Sequence, residues 1–281
     1  GNFKVYRDKW NNIPVEYYLE PAYAPYAKDI FGKTPAMMDF FSKKLGIDYP
    51  WNKYAQIVVK DFVSGAMENT TATLHADYVQ QTPRELLDGS AGEETIAHEL
   101  FHHWFGDLVT AESWSNLPLN ESFATYGEYL WEEHKYGRET ADLKGLEDLS
   151  VYLSGDRKKS PEVIRFDYAN REQMFDEISY QKGGRILHML RKTVGEEAFF
   201  KALNLYLTRH SYKNAEIHDL RLAFEEVSGM DLNWFFKQWF LASGHPVLTI
   251  LSAYNPDKKE VMVTIKQMQD LSKFPLYHIP M

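Results

Sequence analysis

Gly92-Glu-Glu-Thr-Ile-Ala-His-Glu-Leu-Phe-His-His-Trp-Phe-Gly106 decides how the rest of the chain is read, because His98-Glu99-Leu100-Phe101-His102 sets two imidazoles one helical turn apart with a carboxylate beside the first. Residues i and i+4 share a helix face. His98 and His102 can therefore grip one metal ion while Glu99 projects toward a metal-bound water. Ser90 is expected to cap this helix, with Glu93 completing a capping box, and Gly106 to take the left-handed position that ends it. His103 points about 100° away around the helix and is not expected to share the metal.

Further along, Asn120-Glu121-Ser122-Phe123-Ala124 supplies a carboxylate with eighteen residues between it and His102, on a second amphipathic helix expected over residues 119–134. Two His and one Glu leave a fourth position open for water, the pattern of a catalytic site. Zinc fits this nitrogen-rich set better than magnesium or calcium, which prefer oxygen. Water on zinc has a pKa near about 7, so Glu99 is expected to act as general base.

Two more stretches stand in order around these: Gly65-Ala66-Met67-Glu68-Asn69 upstream and Ser179-Tyr180-Gln181-Lys182-Gly183 downstream. With all four, the chain closely resembles, over nearly its whole length, the zinc aminopeptidases of the aminopeptidase N and leukotriene hydrolase family, which are gluzincins. The resemblance implies an α+β, thermolysin-like catalytic domain with a small mixed sheet and a mainly helical lobe. It implies zinc at His98, His102 and Glu121, with Glu99 catalytic. It further implies that Tyr180 donates a hydrogen bond to the oxyanion and that Glu68 binds the α-ammonium of a peptide with a free N-terminus, beside Gly65, Ala66 and Met67. Independently of that, a short glycine-containing loop at a strand edge exposes backbone groups that can pair with an extended peptide. A zinc endopeptidase and a non-catalytic scaffold of the same fold are the competing readings, and one branch of the family also hydrolyses a lipid epoxide. Ser122 stands where the family often has glycine, and Phe101 where it often has alanine.

Hydrophobic residues make up 44% of the 281, and the net charge is −9. Acidity without a run of Lys or Arg argues against a nucleic-acid partner; Arg157-Lys158-Lys159 reads as a solvated loop. No apolar run reaches the ~18 residues of a membrane span, and the first residues do not form a signal peptide. Absence of cysteine excludes disulfides and thiolate sites but leaves the compartment open.

Along the chain, Val15, Tyr17 and Leu19 alternate as one buried strand face. Residues 54–63 and 71–79 read as strands on either side of the Glu68 loop, with His75 where it could line a cleft. Thr34 is expected to cap a helix whose first position is Pro35 and which Gly46 closes. Helices are expected over 138–154, 171–194, 195–210, 215–228 and 231–242, with His188 a hydrogen-bonded core residue and the aromatics of 234–240 packed against the metal-bearing half. Residues 247–251 and 261–265 read as strands joined by a turn. The expected organisation is a strand and linker remnant of an N-terminal β-domain (1–20), a catalytic domain (21–244) and the truncated start of a β-sandwich (245–281). The chain is accordingly expected to be a fragment, of low activity without the parent's other domains.

Overall fold

The structure, a computed structural model, describes residues 1–155 and 160–280; the triplet Arg157-Lys158-Lys159 lies outside the described residues. Alternating β-branched and aromatic positions build a five-stranded sheet from β1 (Lys4–Trp10), β2 (Ile13–Leu19), β3 (Tyr54–Val59), β4 (Ala66–Met67) and β5 (Ala72–Ala76), in the order β1-β2-β3-β5-β4. β2 is antiparallel to β1 and parallel to β3; β3 is parallel to β5, and β4 returns antiparallel along β5. Residues 1–20 thus supply the edge strand β1 and its inner neighbour β2 to the same sheet, joined through the pairing of Val15 with Tyr54. Val15, Tyr17 and Leu19 are fully buried, as their alternation requires.

Helices α1 (Ala27–Phe31) and α2 (Thr34–Leu45) come between β2 and β3 in sequence, and α3 (Glu93–Phe101) and α4 (Pro118–Tyr136) carry the metal motif. The remaining body is helical: α5 (Arg138–Ser154), α6 (Gly183–Val194), α7 (Glu196–His210), α8 (Ile217–Ser228) and α9 (Asn233–Trp239). A short parallel pair, β6 (Val109–Ala111) and β7 (Lys213–Ala215), ties the segment between α3 and α4 to the α7–α8 connection. β8 (Leu248–Asn255) and β9 (Glu260–Gln267) form an antiparallel hairpin whose apolar side chains, such as Leu251 and Met262, are exposed. No helix of the described residues is long and apolar enough to cross a membrane.

Two boundary expectations are corrected. Thr34 is the first residue of α2 and not its cap; its hydroxyl donates instead to Gln56 Oε1 on β3 at 2.7 Å. The single helix expected over 171–194 breaks into a 3₁₀ turn (Arg171–Met174), a π-helical turn (Ile178–Lys182) and α6. The physical reason is Asp176, whose Oδ1 accepts from the backbone N–H groups of Ile178 (3.2 Å) and Ser179 (3.0 Å) and so starts a new turn inside the run.

What positions the site is the packing of α3 against α4. Phe105 lies between Phe101 and Phe123, with ring centroids 5.1 and 4.2 Å away. On α4, Gly127 faces the Phe101 ring so closely that a Cβ would sit 2.7 Å from it. Phe101 and Gly127 are therefore complementary, and together they set the distance between the two helices. Phe235, Phe236 and Phe240 are buried in this same core.

Candidate metal centre and active site

α3 starts at Glu93 with Gly92 as its cap residue and no side-chain cap, so the expected Ser90 capping box does not form. Glu93 is engaged at long range: its carboxylate accepts from Trp131 Nε1 at 2.7 Å and from the Tyr136 hydroxyl at 2.8 Å, and pairs with Lys33. The helix also ends early, at Phe101, and His102 caps it. Gly106 has φ +140° in the turn that follows, where its N–H donates to Val109 O. His98 and His102 nevertheless keep the i,i+4 relation, with ring centroids 4.8 Å apart.

Their Nε2 atoms converge on one oxygen of Glu121, in the first turn of α4. His98 Nε2 is 3.3 Å and His102 Nε2 3.2 Å from Glu121 Oε2. The other ring nitrogens are taken. His98 Nδ1 is 2.7 Å from Glu128 Oε1, and His102 Nδ1 is 3.0 Å from Phe105 O. Donation at Nδ1 leaves the Nε2 lone pairs pointing at Glu121, the tautomer a metal ligand needs.

The donor set fits a tetrahedral cation. Ligands bound at about 2.0–2.1 Å in tetrahedral geometry stand roughly 3.3 Å apart, and the two separations above match that edge. Electrostatics agree. Burial opposes charge on His98, but Glu121 and Glu128 raise it to about 9; Glu68 and Glu121 likewise lift His102 well above its ordinary value. Glu121, despite burial, is held far below the usual carboxylate range by His102 and His98. A cluster that gathers positive charge this way is one a divalent cation satisfies.

The remaining expected residues come from α3 itself and from two other elements. Glu99, buried beside the ligands, has Oε2 without a hydrogen-bond partner, and burial pushes its carboxyl up to about 7 against the pull of His98 and His102. Glu68 follows β4, and its Oε1 is 4.0 Å from His102 Nδ1. Gly65, Ala66 and Met67 lead into it along the sheet edge; Gly65 O accepts from Ala76 N at 2.9 Å, and Ala66 pairs with His75. Tyr180, on the π-helical turn, stacks its ring on His98 at 6.0 Å and 13°. Burial raises its hydroxyl, as does its hydrogen bond to Glu121.

Other histidines fall outside the cluster. His103 accepts from Thr71 N at 3.1 Å and contacts Glu99 O through Nδ1, which pins the Glu68 loop to α3. His75 does not line a cleft; it is fully buried between Gln56 and Phe31. His188 meets the Tyr126 hydroxyl at 3.2 Å, a hydrogen-bonded core residue as expected. The sequence reading missed Glu128, whose far oxygen pairs with Lys144 at 2.8 Å; Lys144 in turn meets Asp148 at 2.9 Å. The signal was present, since Glu128 lies seven residues after Glu121, two turns along the same face of α4.

Residues 30–239 match the Peptidase family M1 domain. The chain is 37% identical over 254 residues to Aminopeptidase N of Streptomyces lividans, covering 87% of this chain and 30% of that protein. It is 35% identical over 265 residues to Tricorn protease-interacting factor F2 of Thermoplasma acidophilum (91% and 33%), and 30% identical over 257 residues to glutamyl aminopeptidase of Homo sapiens (89% and 27%). The chain thus spans about a third of the length of these relatives. Its fold superposes with a TM-score of 0.79 on Legionella pneumophila aminopeptidase A solved with aspartic acid, at 24% identity, over 95% of this chain and 31% of that one. With more than half its length inside the matched domain and a His-His-Glu cluster of the kind a metallopeptidase needs, this chain belongs to peptidase family M1.

Proposed function

We propose that the chain is the zinc-bearing catalytic part of an aminopeptidase that removes N-terminal residues from peptides. The observation that carries this is the convergence of His98 and His102 Nε2 on Glu121 Oε2, with Glu99, Glu68 and Tyr180 grouped around it. Zinc held by those three ligands would supply a Lewis acid and bring water's pKa near about 7. Glu99 takes the proton of the attacking water on its unpartnered Oε2 and returns one to the leaving amine. The Tyr180 hydroxyl, kept protonated by burial, donates to the oxyanion. The edge of β4 pairs with an extended peptide, and Glu68 at its end receives the α-ammonium. That charge pair favours a chain terminus over an internal bond and argues for an aminopeptidase over an endopeptidase.

Residues 21–244 are then the body of the catalytic domain, 1–20 two strands added to its sheet where an N-terminal β-domain would adjoin, and 245–281 the opening of a β-sandwich whose further strands would cover the exposed hairpin faces. The test is zinc content of protein purified without chelator, together with hydrolysis of aminoacyl anilides carrying free or acetylated amines. Near-stoichiometric zinc and cleavage confined to the free amine are expected; equal cleavage of both would mean an endopeptidase, and zinc near zero would sink the site.

A further inference from the structure

Tyr180 sits on a single π-helical turn, a rare form of backbone that recurs at functional sites, and it draws support from outside itself. The support comes from the helix that carries the metal ligand. Ser122, the residue after Glu121, is 1% exposed, and its hydroxyl donates to the backbone carbonyl of the fully buried Ser179 at 2.6 Å. A Cβ on Gly183, at the other end of the turn, would fall on that same hydroxyl, so α4 and the turn are in direct contact through Ser122. The turn's other faces are held as well: Arg165 Nη2 donates to Ser179 Oγ at 3.2 Å, and Lys182 Nζ donates to Gly244 O at 2.8 Å. Of these contacts, the one from Ser122 alone joins the Tyr180 residue's neighbour to the neighbour of a metal ligand.

We propose that Ser122 is a positioning residue for Tyr180: its hydrogen bond to Ser179 O clamps the π-helical turn onto α4 and so fixes the Tyr180 hydroxyl relative to Glu121, His98 and any oxyanion formed beside them. This rests on Tyr180 serving the reaction as proposed above. Peptide bonds on each side transmit the constraint, since Glu121 and Ser122 are adjacent on a rigid helix and Ser179 and Tyr180 are adjacent on the turn. An oxyanion donor acts through placement. Ser122 is therefore expected to matter to the transition state and little to substrate binding or to the metal.

The test is Ser122→Ala in the zinc-loaded protein, which keeps Cβ and removes only the hydroxyl; Ser122→Gly is the second variant should alanine fail to fold. On a free-amine aminoacyl anilide, kcat is expected to fall about tenfold, with KM and zinc affinity changed less than about twofold. In a Tyr180→Phe background the same substitution is expected to change kcat by less than about twofold, because the group it places is gone. Equal losses in both backgrounds, or an unchanged kcat in the first, would overturn the proposal. Hydrogen exchange of the 178–184 backbone supplies a readout free of catalysis: faster exchange there in Ser122→Ala, with and without zinc, is expected, and unchanged exchange overturns the clamp. An inactive wild-type protein would count against the aminopeptidase reading, while the exchange comparison would still judge the clamp.

Discussion

Glu128 Oε1 stands 2.7 Å from His98 Nδ1, and the other oxygen of the same carboxylate is 2.8 Å from Lys144 Nζ. The ammonium keeps Glu128 ionised in a buried setting, with its carboxyl held below the ordinary range by His98 and Lys144 in spite of desolvation. The ionised carboxylate fixes the His98 tautomer and ring plane. Glu128→Gln, which preserves shape but lets the amide present either atom to the ring, is expected to weaken zinc affinity by about 10–100-fold. Competition with a chromophoric chelator measures it. Affinity unchanged within about twofold would show the contact to be packing alone.

Glu99→Gln tests the proposed division between base and ligand. Glu99 is beside the cluster but contributes none of the three convergent atoms, so zinc content is expected to stay near one per chain while kcat falls by at least about 10²-fold. Joint loss of metal and activity would show that Glu99 holds the site together.

Gly127→Ala probes the fit of α3 on α4. The added methyl meets the Phe101 ring at 2.7 Å, a ring locked by Phe105 and Phe41 and unable to retreat. A loss of about 1–3 kcal/mol is expected, with weaker zinc binding because Glu121 moves away from the two imidazoles. Phe101→Leu in the same chain is expected to restore part of both. Chemical denaturation with zinc titration decides; a neutral Gly127→Ala would mean that the helices separate without cost.

The contrast between what the sequence disclosed and what it concealed follows from the range of the interactions. His98, His102 and Glu121 are legible because a helical repeat and a second amphipathic helix are local patterns, and β2 is legible because burial alternates with period two. Glu93 reads as half of a capping box because its partners are distant in sequence: Lys33 from the turn before α2, Trp131 and Tyr136 from α4. The break at Asp176 was hidden by apolar spacing that stays helical through 171–194, although the carboxylate diverts the backbone donors. Glu128 carries the right spacing from Glu121, but only the packing of α5, which brings Lys144, distinguishes it from a solvated glutamate. Ser122 reads as a neutral exchange for glycine until the π-helical turn is seen to rest on it.

Acid stability should report His188 and His75. Burial lowers His188 to about 4, with Arg185 and Lys192 adding to the effect, and lowers His75 to about 3. His188 Nδ1 faces the Tyr126 hydroxyl, which also accepts from Arg191, so a proton on that nitrogen would reverse the hydrogen bond and set a buried imidazolium near the Arg191 guanidinium. The folded pKa lies below the unfolded value of about 6.5. Between those limits the unfolded chain binds a proton that the folded chain refuses, so stability is intact above pH ~6.5 and falls as pH drops toward 4. Each such proton contributes a slope of at most about 1.4 kcal/mol per pH unit. His188→Gln, which keeps a polar partner for Tyr126, is expected to reduce the acid slope by one proton's worth; an unchanged slope in urea melts from pH 7 to 4.5 would show that His188 titrates normally.

The last expectation concerns Glu68, and it bears on which end of a peptide the site selects. Glu68 Oε1 lies 4.0 Å from His102 Nδ1, and its loop is held by two features independent of any substrate: Thr71 donates its N–H to His103 at 3.1 Å, and Thr71 itself has φ +66°. A side chain presented by so constrained a loop, at the end of the open sheet edge, is held in place before any peptide arrives, as the proposed role of Glu68 requires. Glu68→Ala leaves that scaffold intact and removes only the charge. KM for a free-amine dipeptide is then expected to rise by at least about tenfold, the order of a charge-assisted hydrogen bond of 1.5–3 kcal/mol. For the acetylated dipeptide, which brings no ammonium to the carboxylate, kcat/KM should stay constant or improve as repulsion and desolvation at Glu68 disappear. The ratio of the two kcat/KM values, taken from one enzyme preparation, cancels any difference in folded fraction or zinc loading. A ratio that does not move when Glu68 is removed would mean that terminus selection does not rest on this carboxylate.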